Sequence, residues 1–365
     1  MRASYGKPLR EWLQNFQIQS IIDFGDLPVF EEATVYPCLL EINKKLPDDL
    51  FQACEVESLD FTDLEHYLGE SCFESDQEKL SKEVWTLLDK ESQSILSKLG
   101  NSGIKLKEHV NGEIYRGLIT GLNDAFVIDE ETREKLINKH KSSEKVIQKY
   151  LSGKDINRFI PPNSDKYLIN IPNGWTDKKF SNRDDKWEAV QEELPAIADY
   201  LSKYKKAAKK RYDQGEYWWE LRACAYLESF EEEKICWRNL QSRGEFTFDK
   251  RKHYINAPSV FIPTDEFELI GILNSNLGWF FLSNTTAGRR GGYYEIKPFY
   301  IEQFPIVKPQ TDEIKKKVDQ ILSTKDKDPE ADISELEEEI DQLVYELYGL
   351  SEEEIGIVEG SISRN

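Results

Sequence analysis

The residues best equipped for recognition chemistry lie in one glycine-rich run, Gly288-Arg289-Arg290-Gly291-Gly292-Tyr293-Tyr294. Glycine permits positive φ and close backbone approach, while paired guanidiniums reach phosphates or fork onto the O6 and N7 edge of guanine. Tyr293 and Tyr294 add flat faces for stacking. The same run also reads as an exposed, solvated loop; glycine, arginine and tyrosine together suit backbone tracking better than a bare charge run does. A second basic run, Lys203 to Arg211, places Lys209, Lys210 and Arg211 at the predicted end of a helix. There it either binds phosphates or only complements the helix dipole. A third set, Arg238, Arg243, Lys250, Arg251 and Lys252, falls in a predicted loop or hairpin. Trp218 and Trp219, which precede Arg222, read as core before they read as stacking platforms. Glu295-Ile296-Lys297 has the E-x-K spacing of a nuclease, but no suitably placed aspartate precedes it, and metal-assisted cleavage needs converging carboxylates.

A net charge of −20 over 365 residues looks hostile to a polyanion, so its distribution decides the matter. Residues 31–79 carry 14 acidic and 3 basic side chains, and residues 309–365 carry 17 and 6. Everything else is close to neutral, and residues 203–252 hold 13 Lys/Arg against 9 Asp/Glu. A phosphate-facing surface between two acidic blocks is therefore compatible with the composition. The five cysteines, Cys38, Cys54, Cys72, Cys224 and Cys236, form no C-x-x-C pair, and the four histidines add no metal-ligand spacing. Buried reduced thiols and no metal site are expected. No apolar run approaches the roughly 20 residues of a membrane span and no signal-peptide core opens the chain, so a soluble cytoplasmic protein without membrane partners is expected.

Such side chains need a mixed scaffold. Leu9, Trp12, Leu13 and Phe16 mark one face of a short helix, and Ile18 to Phe24 and Val35 to Ile42 read as strands split by Gly25-Asp26-Leu27-Pro28. This is the texture of the end of an α/β sheet, and about 45 residues bury too little to fold alone. Residues 46–105 read as an acidic helical connector, clearest from Glu78 to Leu99. Residues 106–309 read as one mixed α+β domain, with helices from Glu130 to Leu151, Trp187 to Tyr212 and Glu266 to Leu282 among short β-like pieces. Residues 310–365 are helical, with apolar stripes at Ile314, Val318, Ile321 and Leu322 and at Ile333, Leu336, Ile340, Leu343, Val344 and Leu347. These helices either pack on the domain or, in the alternative reading, bind a partner protein as part of a regulatory subunit.

Several stretches in order carry a resemblance. They are Tyr115 to Ile128, Leu151-Ser152-Gly153-Lys154-Asp155-Ile156-Asn157-Arg158, Trp218-Trp219-Glu220-Leu221-Arg222 and Lys234-Ile235-Cys236-Trp237. Gly271-Ile272-Leu273-Asn274-Ser275-Asn276-Leu277, Tyr294-Glu295-Ile296-Lys297-Pro298 and Ile340 to Leu350 complete the set. Together they resemble the C-terminal portion of the TaqI-like adenine-N6 DNA methyltransferases and of the type IIG restriction-modification enzymes built on them. The resemblance implies a fold, an α+β target-recognition domain with helical connector and C-terminal helices, preceded by the last helix and strands of a Rossmann-like methyltransferase sheet at residues 1–45. It implies two partners, double-stranded DNA and a methyltransferase catalytic domain or subunit. It also puts Phe30 where the family stacks an aromatic on a flipped-out adenine. The family's Asn-Pro-Pro-Tyr and its glycine-rich turn for S-adenosylmethionine do not occur; the one Pro-Pro, Pro161-Pro162, is followed by Asn163. This chain is thus expected to read DNA without a catalytic residue of its own, the cofactor belonging to the missing catalytic part, with or without an upstream nuclease.

Overall fold

The structure is a computed structural model that describes residues 6–25, 27–30, 35–80, 85, 87–289 and 291–362. Helices and strands are mixed throughout, in several small sheets, as the α+β reading requires. At the centre is a four-stranded antiparallel sheet ordered Phe246–Asp249, Lys234–Trp237, Val260–Pro263, Tyr115–Arg116. Side chains on a strand alternate between faces, and here both faces are covered. Ile235, Trp237, Phe246, Phe248, Val260 and Ile262 point into one core, Cys236 and Phe261 into the other. The two largest cores thus share one sheet as their wall.

The second of these cores is closed by another sheet, Tyr254–Ile255, Ile147–Leu151, Lys166–Ile169 and Val127–Asp129. The predicted helix from Glu130 to Leu151 stops at Lys139, because Ile147, Tyr150 and Leu151 are drawn into that sheet. The predicted helix from Trp187 to Tyr212 is three pieces, Lys186–Glu193, Pro195–Ser202 and Lys205–Ala208. Pro195 has no N–H to continue the first piece and instead opens the second.

Residues 46–105 depart most from expectation. Among the described residues three of their elements are strands, Leu50–Glu55, Phe73–Asp76 and Ile104–Lys105, and helix is confined to Leu64–Ser71, Lys90–Gly100 and a single 3₁₀ turn. Leu50–Glu55 lies parallel to Gln17–Asp23, which pairs on its other side with Cys38–Asn43; Phe73–Asp76 completes the sheet. The reason is burial: Phe51, Ala53 and Cys54 are enclosed beneath Ile18, Ile21 and Ile22, which outweighs the helical leaning of the flanking acidic residues. Cys38–Asn43 is an edge strand with Leu39 and Leu40 both exposed, and Leu9 and Trp12 of the helix Lys7–Leu13 are exposed as well.

The C-terminal helices spend their apolar stripes on this chain. Ile314, Val318, Ile321 and Leu322 of Glu313–Lys327, and Ile340, Val344, Tyr345 and Tyr348 of Ser334–Tyr348, all lie in the first core. The alternative reading, partner capture through these helices, loses the face it needs. Arg158 pins them down: Nη1 donates to the carbonyls of Gly244 at 2.6 Å and Asn274 at 2.8 Å, while Nε donates to Glu337 at 2.6 Å. Asp341 accepts the backbone N–H of Asn276 at 2.7 Å. No helix among the described residues is long and apolar enough to cross a membrane.

Burial pushes the Asp341 carboxyl up to about 6, against the pull of the Asn276 N–H and Arg158. A carboxyl raised on folding is protonated in the native state while ionised in the unfolded chain, so its contribution is present at low pH and lost as pH rises through about 6. Asp341→Asn keeps the acceptor and removes the buried charge. It is expected to stabilise the chain by about 1–2 kcal/mol at slightly alkaline pH, the gain vanishing below about pH 4, as read by urea unfolding at a series of pH values.

Candidate nucleic-acid interface

The glycine–arginine run is a β-hairpin. Ala287–Arg289 pairs with Tyr293–Glu295, and Gly291 and Gly292 at the turn have φ of 79° and 73°, a conformation that side chains other than glycine's resist. Arg290 lies outside the described residues. Leu240–Gln241 adds a third strand against Tyr294 and Glu295. This brings the loop from Arg238 to Glu245 alongside the hairpin, so two candidate groups separated in sequence meet on one small sheet.

The hairpin is tied to the core at its base. The Ile296 N–H donates to the Asn239 carbonyl and the Trp237 indole N–H to the Ile296 carbonyl, each at 2.8 Å. Tyr294 packs edge-on against Trp279, ring centroids 5.4 Å apart. It is therefore half-buried framework, whereas Tyr293 is exposed. Glu295 takes the Arg289 guanidinium at 2.7 Å and the Lys297 ammonium at 2.5 Å. Burial raises its carboxyl, but Lys297 and Arg289 more than reverse that and hold it below the usual range. The E-x-K pair is thus an orienting clamp on Arg289. No group of three or more His, Cys, Asp or Glu side chains able to hold a metal exists among the described residues.

The neighbouring loop is equally fixed. Buried Gln241 closes it, its amide N–H donating to the Arg238 carbonyl and its amide oxygen accepting the Glu245 N–H. Asn274 holds both the N–H and the carbonyl of Phe246 at 2.9 Å. Gly244 passes so close to Leu273 that an added Cβ would sit 2.8 Å from its carbonyl oxygen. Arg238 is paired with Glu245 at 2.9 Å; Arg243 is exposed and has no ion-pair partner among the described residues.

Lys250, Arg251 and Lys252 sit at the far end of the strand Phe246–Asp249. Their turn is built on Asp249, whose carboxylate has no solvent exposure. It accepts the His253 N–H at 2.7 Å, His253 Nδ1 at 2.8 Å and the Arg251 N–H at 2.9 Å, and faces the Lys234 ammonium at 3.4 Å. Burial alone would raise its carboxyl; His253 and Lys234 outweigh that and keep it ionised. Two of the three basic side chains are already engaged. Arg251 pairs with Asp326 of a C-terminal helix at 3.2 Å, and Lys250 lies over the rings of Phe248 and Phe267. With Asp319 and Asp326 lining the same cleft, this group is a poor phosphate site. Lys252, exposed like the other two, has no side-chain partner among the described residues.

In the run from Lys203 to Arg211, Lys209 and Lys210 are exposed but Arg211 is buried. Its guanidinium donates to the carbonyls of Thr120, Trp218 and Glu220 at 2.6–2.8 Å and lies over the Phe126 ring. Buried and spending its N–H groups on inward-facing carbonyls, Arg211 is framework rather than a DNA contact. Trp218 and Trp219 are core. Phe30 is 58% exposed, in the loop between the first two strands; its neighbours 31–34 lie outside the described residues.

Residues 148–306 match the family model described as the TaqI-like C-terminal specificity domain. The chain carries a TaqI-like specificity domain. Among solved structures, it is similar to the type IIL restriction-modification enzyme MmeI in complex with DNA. Identity is 12% and the TM-score 0.58, over 96% of this chain and 46% of that one. It also aligns with the type IIG restriction endonuclease BpuSI at 13% identity and a TM-score of 0.40, over 95% and 46%. The chain thus spans about half the length of each. No curated protein sequence matches it. The specificity domain contains the hairpin, the Arg238–Glu245 loop and the Asp249 network, and its first-core face carries the C-terminal helices.

Asp249→Ala is expected to cost about 3–5 kcal/mol in urea unfolding, because it strands a buried ammonium. Adding Lys234→Met is expected to restore part of that loss; a double variant no more stable than the single one would place the cost elsewhere.

Proposed function

We propose that this chain is the DNA sequence-recognition module of a restriction-modification enzyme, and that its specificity domain reads duplex DNA with the Ala287–Glu295 hairpin and the adjoining Arg238–Glu245 loop. The observation that carries this is a contrast. The base of the hairpin is locked into the core by Ile296, Trp237 and Tyr294, while Arg289, Tyr293 and Arg243 stay at the surface. A guanidinium oriented by Glu295 is prepared for bidentate contact with a guanine edge. Arg243, with no carboxylate to satisfy it among the described residues, suits a phosphate.

On the same reading, a catalytic part of the enzyme packs against the exposed sheet edge Cys38–Asn43 and the helix Lys7–Leu13, where Trp12, Leu39 and Leu40 face outward. Phe30 would then lie at the shared boundary, against an extruded adenine. We place S-adenosylmethionine with that catalytic part. The glycine cluster here shapes a hairpin turn and opens no helix, so it does not fit the strand–turn–helix cradle such a cofactor needs.

Mobility-shift titrations across salt concentrations test the proposal. The chain is expected to bind duplex DNA at low salt, with affinity falling linearly on a log–log plot. Arg243→Ala is expected to reduce that slope by roughly 1. Arg289→Ala is expected to weaken binding by about 1–3 kcal/mol and to relax discrimination at one base pair. An absence of any shift at low salt would overturn the assignment.

A further inference from the structure

Tyr212 is the most exposed large hydrophobic side chain among the described residues, at 97%, and nothing described above uses it. It follows the buried Arg211 in a short turn after the helix Lys205–Ala208. The guanidinium reaches the carbonyls of Thr120, Trp218 and Glu220, so the backbone on either side of it is fixed. A second contact tightens the turn: Gly121, at a φ of 67°, approaches Asp213 so closely that a Cβ would meet its carbonyl oxygen at 2.7 Å. Lys209, Lys210 and Tyr212 therefore project from a preorganised frame and lose little backbone freedom on binding.

The charge leading up to Tyr212 is basic. Residues 203–213 hold five lysines and Arg211 against a single acid, Asp213, in a chain of net charge −20. That acid is paired with Arg222 at 3.0 Å. Lys203 lies over Tyr200 and Lys205 over Trp218, whereas Lys209 and Lys210 have no side-chain partner among the described residues. A bare aromatic ring that closely follows two unpaired cations on a rigid turn suits a polyanion with flat, apolar edges.

We infer that this turn is a second contact with duplex DNA: Tyr212 lays its ring against the sugar–base edge of a groove while Lys209 and Lys210 take the adjoining phosphates. The inference rests on the reading of the chain as a DNA-recognition module and adds a surface that the hairpin does not supply. The hairpin is anchored in the first core, through Ile296; Arg211 lies over Phe126 of the second. The two contacts stand on different cores and are expected to contribute independently.

The test is a salt titration of duplex binding by the full chain and five variants, the single Arg289→Ala among them. Tyr212→Ala is expected to weaken binding roughly 5- to 100-fold with no change in salt slope, and Tyr212→Phe to keep most of it, since the ring carries the contact. Lys209→Ala/Lys210→Ala is expected to lower the slope by roughly 2. Tyr212→Ala combined with Arg289→Ala is expected to lose the product of the two single effects. All these side chains are exposed, so unchanged circular dichroism and thermal midpoints are expected. If wild type binds and Arg289→Ala weakens it while the turn variants match wild type, the inference is overturned and the reading of the hairpin stands. If wild type shows no binding at any salt concentration, both fall.

Discussion

A lysine and an aspartate face each other at the end of the central sheet with no access to water, Lys234 opposite Asp249 in register. Burying such a pair is expensive unless every remaining lone pair and proton finds a partner. Here most of them do: Lys234 also donates to the Phe230 carbonyl at 2.8 Å, and Asp249 takes two backbone N–H groups and the His253 ring. The pair sits in the wall between the two cores, so it joins the strand Phe246–Asp249 to both. That strand leads back through Glu245 and Gly244 into the loop bearing Arg243, which in turn lies beside the hairpin. The position of the recognition loop thus depends on a charge contact at the other end of the same strand.

The surrounding framework works the same way, with polar side chains spent on backbone groups so that the exposed cations are held from behind. Gln241 closes the loop, Asn274 clamps Phe246, Arg158 ties the loop to the C-terminal helices, and Arg211 fixes the turn bearing Lys209 and Lys210. An arginine inside and an arginine outside do different work, and no run of basic residues distinguishes them. Glu295 is the same device in reverse: its carboxylate aims a guanidinium instead of catalysing anything.

Much of the framework was legible in the sequence. The short apolar run in Lys234-Ile235-Cys236-Trp237 reads as β-like, the apolar stripes of the last helices read as packing faces, and the ordered motifs point to the specificity domain matched over residues 148–306. What failed had physical causes. The strand Leu50–Glu55 is short and lies among acidic residues of helical leaning, and only its pairing with Gln17–Asp23 reveals it. The alternatives for Arg211, phosphate ligand or helix-dipole partner, both miss its burial, because nothing local shows that Thr120, about ninety positions earlier, turns a carbonyl toward it. Nothing local marks Tyr212 either, since exposure is a tertiary property. A signal for the Asp249 network did exist: single charges of opposite sign, Lys234 and Asp249, end two otherwise apolar strands.

A hairpin locked at its base and exposed at its tip is proposed to read base sequence. Selection from a randomised duplex library tests it most directly, comparing the full chain with a version whose Gly288-to-Gly292 turn is replaced by a two-residue Asn-Gly turn. The wild-type chain is expected to enrich one recurring motif of a few base pairs, and the turn replacement to lose or alter bases within it. Equal enrichment by both chains, or none by either at low salt, would contradict the claim.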